Sequence, residues 1–210
     1  RRLALQLRRI AAQALPETGI ENLAPLFAQL FPSPLAGAGG AQRRERGGDD
    51  HQARAAALAL RRALLLVTGG PGTGKTTTIA RMLVLRIAQA MQAGRTPPHI
   101  ALAAPTGRAA DRMAESLQRA TAQMAALGID ADLLAALPNS ASTLHRLLGT
   151  IPDSPRFRHH ADNPLLFDIV VVDEASMVDL PLMCKLVEAV ADGAQLILLG
   201  DLDQLTSVEA

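Results

Sequence analysis

The stretch GGPGTGKT, Gly69 to Thr76, follows directly on the apolar run ALLLVT and leads directly into TTIARMLVLRIAQAM. No other feature of the chain constrains its fold so strongly. The pattern G-x-x-x-x-G-K-[ST] requires a buried strand, a glycine-rich reversal and a helix, in that order. The glycines let the backbone bend around phosphate so that its N–H groups point inward, and the helix adds its positive end. Gly69, Gly70, Pro71, Gly72, Thr73 and Gly74 form the loop, and Lys75, Thr76 and Thr77 open the helix. Lys75 is expected to reach the β- and γ-phosphates of the bound nucleotide, and Thr76 to hold Mg²⁺ through its hydroxyl. Such a loop predicts triphosphate binding but not its purpose, because kinases, GTPases, transporters and nucleic-acid motors all use one.

The rest of the chain extends this unit. HIALAA, DIVVV and QLILL read as further buried strands, and GRAADRMAESLQRATAQM and LPLMCKLVEAV as helices between them. Strands that alternate with helices predict an α/β fold, a parallel sheet wound on both faces. The composition fits. Of 210 residues 49% are apolar, yet there are four Phe and no Trp or Tyr, so the core is aliphatic, as buried parallel strands require. At the amino end, Leu3, Leu7, Ile10 and Ala14 have helical spacing, and ENLAPLFAQLF suggests a second helix interrupted at Pro25. PSPLAGAGGAQRRERGGDD reads as a linker, and Pro138, Pro152, Pro155 and Pro164 mark 128–166 as an excursion from the sheet or a small inserted subdomain. The net charge of +1 predicts no polyanion partner in bulk, although a nucleic-acid groove needs only a local basic strip. Cys184 is the single cysteine, which excludes an internal disulfide and fits a cytoplasmic protein. No apolar run approaches the ~20 residues of a membrane-spanning helix. His159 and His160 lack the Cys or carboxylate companions of a zinc site.

Two further strand ends carry chemistry. DIVVVDEAS places Asp173 and Glu174 at the carboxyl end of a strand, where open α/β sheets bind ligands. Asp173 is expected to orient Mg²⁺, and Glu174 to take the proton of an attacking water, which marks hydrolysis. LILLGDLDQL puts Gly200, Asp201, Asp203 and Gln204 after another buried strand. Gln204 is either a sensor of the γ-phosphate or a solvated loop residue.

In this order the motifs Gly-Lys-Thr, Asp-Glu-Ala-Ser and Gly-Asp-x-x-Gln resemble the superfamily 1 helicases. The blocks GGPGTGKTTT, LAAPTGRAA, STLHRLLG, RHHADNPL, VVVDEASMVDLP and LGDLDQLTSVEA are similar, more closely, to the RecD family, the alpha subunits of exodeoxyribonuclease V. The resemblance implies a first RecA-like P-loop NTPase motor domain over 49–210. It makes 1–48 the end of an amino-terminal helical domain with its linker, and leaves the second motor domain outside this chain. It implies that Gln52 reads adenine through its amide, with His51 where the family carries an aromatic residue. By the same resemblance Pro105, Thr106, Gly107 and Arg108 hold the backbone of single-stranded DNA, and Thr143 and His145 form a second contact. The implied function is ATP-driven 5′-to-3′ movement along single-stranded DNA in a helicase–nuclease that processes double-strand breaks, with beta and gamma subunits as partners. An RNA-directed superfamily 1 helicase and a non-motor ATP switch remain alternatives.

Overall fold

The computed structural model describes residues 1–16, 19–32, 52–70 and 74–201. Two helices, α1 (Arg2–Ala11) and α2 (Ala24–Leu30), precede a helix α3 over residues 52–59. From there strands and helices alternate: β1 (Leu64–Thr68), α4 (Lys75–Gln92), β2 (Ile100–Ala104) and α5 (Gly107–Ala126). They are followed by α6 (Ala131–Ala135), β3 (Ser142–Thr143), α7 (Leu144–Leu148), β4 (Ile169–Val172), α8 (Leu180–Ala189) and β5 (Gln195–Gly200). The five strands form one parallel sheet in the order β1-β5-β4-β2-β3. The predicted α/β class is the observed one.

Alternation along each strand divides the core in two, because successive side chains point to opposite faces. Leu65, Leu102, Ile169, Val171, Ile197 and Leu199 meet α2, α3, α4, α5 and α6 on one face. Ala101, Ala103, Val170, Val172, Leu196 and Leu198 meet α1, α7 and α8 on the other. Helix α4 is deepest, with Leu83, Val84, Leu85 and Ile87 all at zero exposure. Burying a side chain of this kind contributes about 1.5–3 kcal/mol, so α4 anchors the loop that precedes it.

The first helices share this core. Ile10 is fully buried among β4, β5 and α8, and Arg9 Nη2 donates to Val190 O at 2.9 Å. On the opposite face Gln89, also fully buried, donates through Nε2 to Pro16 O at 2.8 Å and accepts from Arg86 Nη1 at 2.5 Å. Burial and the nearby charge of Arg95 lower the Arg86 pKa to about 10, while Asp168 acts in the other direction.

Three expectations change. Pro25 does not interrupt a helix. It lies in the first turn of α2, after a 3₁₀ turn at Glu21–Leu23, and there its missing N–H costs nothing because first-turn donors have no helical partner. The run ALLLVT is not uniformly buried, since β1 is an edge strand among those described and Leu66 is 66% exposed. The excursion expected over 128–166 is only partly one: Ser142–Thr143 adds β3 to the sheet beside β2, and Leu144 and Leu148 are fully buried behind it. Proline spacing reports where helices cannot run, not whether two residues between them pair with a strand. No helix among the described residues is long and apolar enough to cross a membrane.

Gly19 has φ +86°, and a Cβ there would lie 2.7 Å from the Gln89 carbonyl oxygen. The Gly19→Ala variant should therefore lose at least the ~1–2 kcal/mol of a left-handed alanine, read as a lower urea midpoint with an unchanged slope. An unchanged midpoint would mean that the amino-terminal segment does not sit on α4 in this way.

Candidate functional site

The carboxyl ends of β1, β4 and β5 open into a cleft of about 490 Å³ lined by Gly74, Lys75, Thr76, Thr77, Asp173, Glu174, Gly200 and Asp201. Pairing explains the convergence. β5 bonds β1 on one side, in register up to Thr68 opposite Gly200, and β4 on the other, up to Val172 opposite Leu198. The Gly69 N–H donates to Gly200 O at 3.3 Å, so the loop starts from the end of the neighbouring strand. The glycine loop and the acidic pair, about a hundred residues apart in the chain, therefore end one strand apart.

Gly74 turns the loop into α4 at φ +76°, a conformation in which a side chain would be strained. Lys75 opens α4, and its ammonium donates to the carbonyl oxygens of Gly69 and, at 3.1 Å, Gly70. Gln52, on α3, approaches from the other side, with its Nε2 3.6 Å from where a Gly74 Cβ would stand. The amide predicted to read a base thus borders the loop. Pro71, Gly72, Thr73, His51 and Gln204 lie outside the described residues.

Directly after β4 the Asp173 N–H donates to Ala103 O at 2.9 Å, which extends the β2–β4 pairing one residue past the strand. Its Oδ1 accepts the Glu174 N–H at 2.8 Å. Glu174 itself has φ +50°, a left-handed conformation costing on the order of 1–3 kcal/mol for such a residue and found at sites where geometry is imposed. The chain then enters the 3₁₀ turn Ala175–Met177, and the Met177 N–H closes back on Glu174 O at 2.9 Å. Both predicted acids face the cleft that Lys75 and Thr76 line. No group of three or more His, Cys, Asp or Glu among the described residues could hold a metal. One hydroxyl and one carboxylate suit Mg²⁺ carried by a nucleotide, since that ion keeps waters and phosphate oxygens rather than an all-protein cage.

Sequence reasoning missed the far wall of the cleft. Arg112, Ser116, Arg119 and Gln123 line it from successive turns of α5, and Arg112 Nη2 bonds Glu174 Oε1 at 3.0 Å. Their i, i+4, i+7, i+11 spacing was legible, but a polar stripe at that spacing is ordinarily a solvated face. It flanks the buried positions Met113, Leu117, Ala120 and Met124, and only the packing of α5 against α4 turns it toward the cleft. The Arg112 side chain is 70% exposed, so the pair contributes only ~0–1 kcal/mol to stability.

The candidate strand-contact residues stand apart from the cleft but next to each other. Ala104 of β2 is in register with Thr143 of β3, so the turn Pro105–Thr106–Gly107–Arg108 begins beside Thr143 at the same sheet edge. Thr106 Oγ1 accepts the Ala109 N–H and Thr143 Oγ1 accepts the Arg146 N–H, both at 3.2 Å, so each hydroxyl caps a helix. Thr106, Gly107, Arg108 and His145 are exposed, and the His145 ring lies 5.7 Å from that of Phe157.

A parallel sheet with a Gly-Lys-Thr loop after one strand and an Asp-Glu pair after another, facing one cleft, defines a P-loop nucleotide-binding domain. The family described as an AAA domain matches residues 52–210, and the chain belongs to it. Among curated proteins it is 55% identical over 148 residues to the RecBCD enzyme subunit RecD of Mycolicibacterium smegmatis, covering 70% of this chain and 26% of that protein. It is 47% identical over 146 residues to the RecBCD enzyme subunit RecD of Haemophilus influenzae, covering 69% of this chain and 22% of the relative. With the ATP-dependent RecD2 DNA helicase of Deinococcus radiodurans the identity is 39% over 147 residues, 70% of this chain and 16% of the helicase. The chain thus spans about a quarter, or less, of the length of the curated relatives it matches.

If the Gln52 amide reads the base, Gln52→Ala in the full-length protein should narrow the preference for ATP over GTP by ~1–3 kcal/mol. Competition binding with both nucleotides measures it. Equal losses for both would remove Gln52 from base recognition.

Proposed function

We propose that this chain is the ATP-hydrolysing motor region of a RecD-type DNA helicase, which moves 5′ to 3′ along single-stranded DNA. The observation that carries the reading is the convergence of Lys75 and Thr76 with Asp173 and Glu174 on one cleft, at the ends of strands separated only by β5. Its likeness to RecBCD RecD subunits and to a RecD2 DNA helicase supports DNA as the track. By the same likeness the chain works in the cytoplasm within a helicase–nuclease that processes double-strand breaks, beside beta and gamma subunits.

In the proposed reaction the substrate is MgATP. Lys75 neutralises charge on the β- and γ-phosphates, and Thr76 and Asp173 hold the ion. Glu174 accepts a proton from the attacking water as the new oxygen–phosphorus bond forms and the bond to the β-phosphate bridging oxygen breaks, releasing ADP and phosphate. From its place in the sequence, Gln204 is the proposed γ-phosphate sensor. The turn at Pro105–Arg108 and the cap at Thr143, with His145 beside it, would hold the DNA backbone through hydroxyl and N–H donors.

Two measurements test this. The Lys75→Ala variant of the full-length protein should lose strand-stimulated ATPase by on the order of 10²–10³ or more, as expected when a phosphate-directed charge is removed. Its melting temperature should stay the same, because the side chain packs against no core. Retained turnover would contradict the loop assignment. Single-stranded DNA should stimulate ATPase more than RNA of the same sequence. The reverse order would favour an RNA-directed helicase, and no stimulation by either would favour a non-motor switch.

A further inference from the structure

We propose that Arg112 is a positioning residue that holds the Glu174 carboxylate for water activation and ties that step to the strand-contact turn. The inference rests on the function proposed above and adds a residue and a route to it.

The route is a short series of contacts. Arg112 Nη2 bonds Glu174 Oε1 at 3.0 Å, and Arg112 Nε donates to Arg108 O at 3.4 Å. Arg108 belongs to the first turn of α5, whose cap is Thr106. One guanidinium thus spans from the peptide of a proposed strand-contact residue to the carboxylate of the proposed general base. The fork of an arginine can do this because its five N–H donors have fixed relative directions.

Glu174 needs such a partner. Its backbone is held at both ends, by its N–H on Asp173 Oδ1 and by its carbonyl on the Met177 N–H, at an unusual positive φ. What remains free is rotation of the side chain, and the Arg112 guanidinium bonds the carboxylate that this rotation would move. Oε1 is engaged by Arg112, leaving the other oxygen to meet water. A shift of the first turn of α5 on engaging a DNA phosphate would be transmitted by the Arg108 carbonyl to the guanidinium and so to the carboxylate. Strand binding would then set the orientation of the base without touching the nucleotide. The large exposure of Arg112 argues against a purely structural role, since an exposed pair adds little to folding.

The test uses the full-length protein with the variants R112Q, R112K, E174Q and R112Q/E174Q, and K75A as a control. ATPase is measured with and without single-stranded DNA, together with the KM for ATP, the Kd for the strand and the melting temperature. R112Q should lower strand-stimulated kcat about tenfold, part of the roughly 10²–10⁴-fold that a positioned base supplies. KM for ATP and strand Kd should each change less than about twofold, the pattern of an interaction made only in the transition state. R112K should recover part of the rate, because an ammonium can pair with Glu174 but cannot span to Arg108 in a fork. In the E174Q background the R112Q change should slow turnover no further, because Arg112 acts through Glu174.

Unchanged stimulation in R112Q would overturn the proposal. So would a raised KM with unchanged kcat, or a further loss in the double variant, both of which would put Arg112 on the nucleotide itself. Retained ATPase in K75A would instead overturn the site assignment, so the two failures are distinguishable.

Discussion

The pairing of β5 between β1 and β4 is the constraint on which the site depends. Parallel strands bring all their carboxyl ends to one edge of the sheet, and ligands of open α/β folds bind there. Because Thr68 is in register with Gly200 and Val172 with Leu198, the glycine loop and the acidic pair leave the sheet at nearly the same height. A slip of one residue in either ladder would exchange the two faces of a strand. It would also move Asp173 away from Thr76. The aliphatic core on both faces makes such a slip costly, so core packing and site geometry are one constraint.

Backbone conformation does the rest at the site. Gly74 and Glu174 both sit at positive φ, one as the hinge into α4 and the other as the hinge out of β4. Glycine adopts that conformation freely. Glutamate does not, and its presence there is the kind of local cost that persists where surrounding structure fixes a geometry. Hydrogen bonds before and after Glu174 supply that fixing, and the ion pair with Arg112 orients what they leave free. Helix α5 therefore belongs to both proposed activities of the domain, with its first turn at the strand-contact edge and its next turns along the nucleotide cleft.

Most of the fold was legible because its signals are local. Short apolar runs gave β1, β2, β4 and β5, helical spacing gave α1, and the stretches between the strands gave α4, α5 and α8. The errors came where one-dimensional signals are ambiguous. A proline inside an apolar stretch can break a helix or start one, and Pro25 starts one. Two residues, Ser142 and Thr143, are too short to show a strand period, and they pair because β2 offers an open edge.

By itself the sequence determined which chemistry is present. The loop of Gly69 to Thr76 and the acids Asp173 and Glu174 announce themselves, because phosphate and metal chemistry demand particular residue types at fixed local spacing, whereas the turn at Thr106 stood out only through the family resemblance. Which of these groups meet was decided only by the tertiary structure. That β5 separates the loop strand from the acid strand, that Gln52 borders Gly74, and that Thr143 stands beside the Thr106 turn all follow from strand order and helix packing. Arg112 is the clearest case. Its sequence context marks an exposed position on an amphipathic helix, and nothing in a helical period says what solvent-side partner it will meet. Glu174 lies 62 residues further along the chain, and only the packing of α5 beside the end of β4 brings the two charges together.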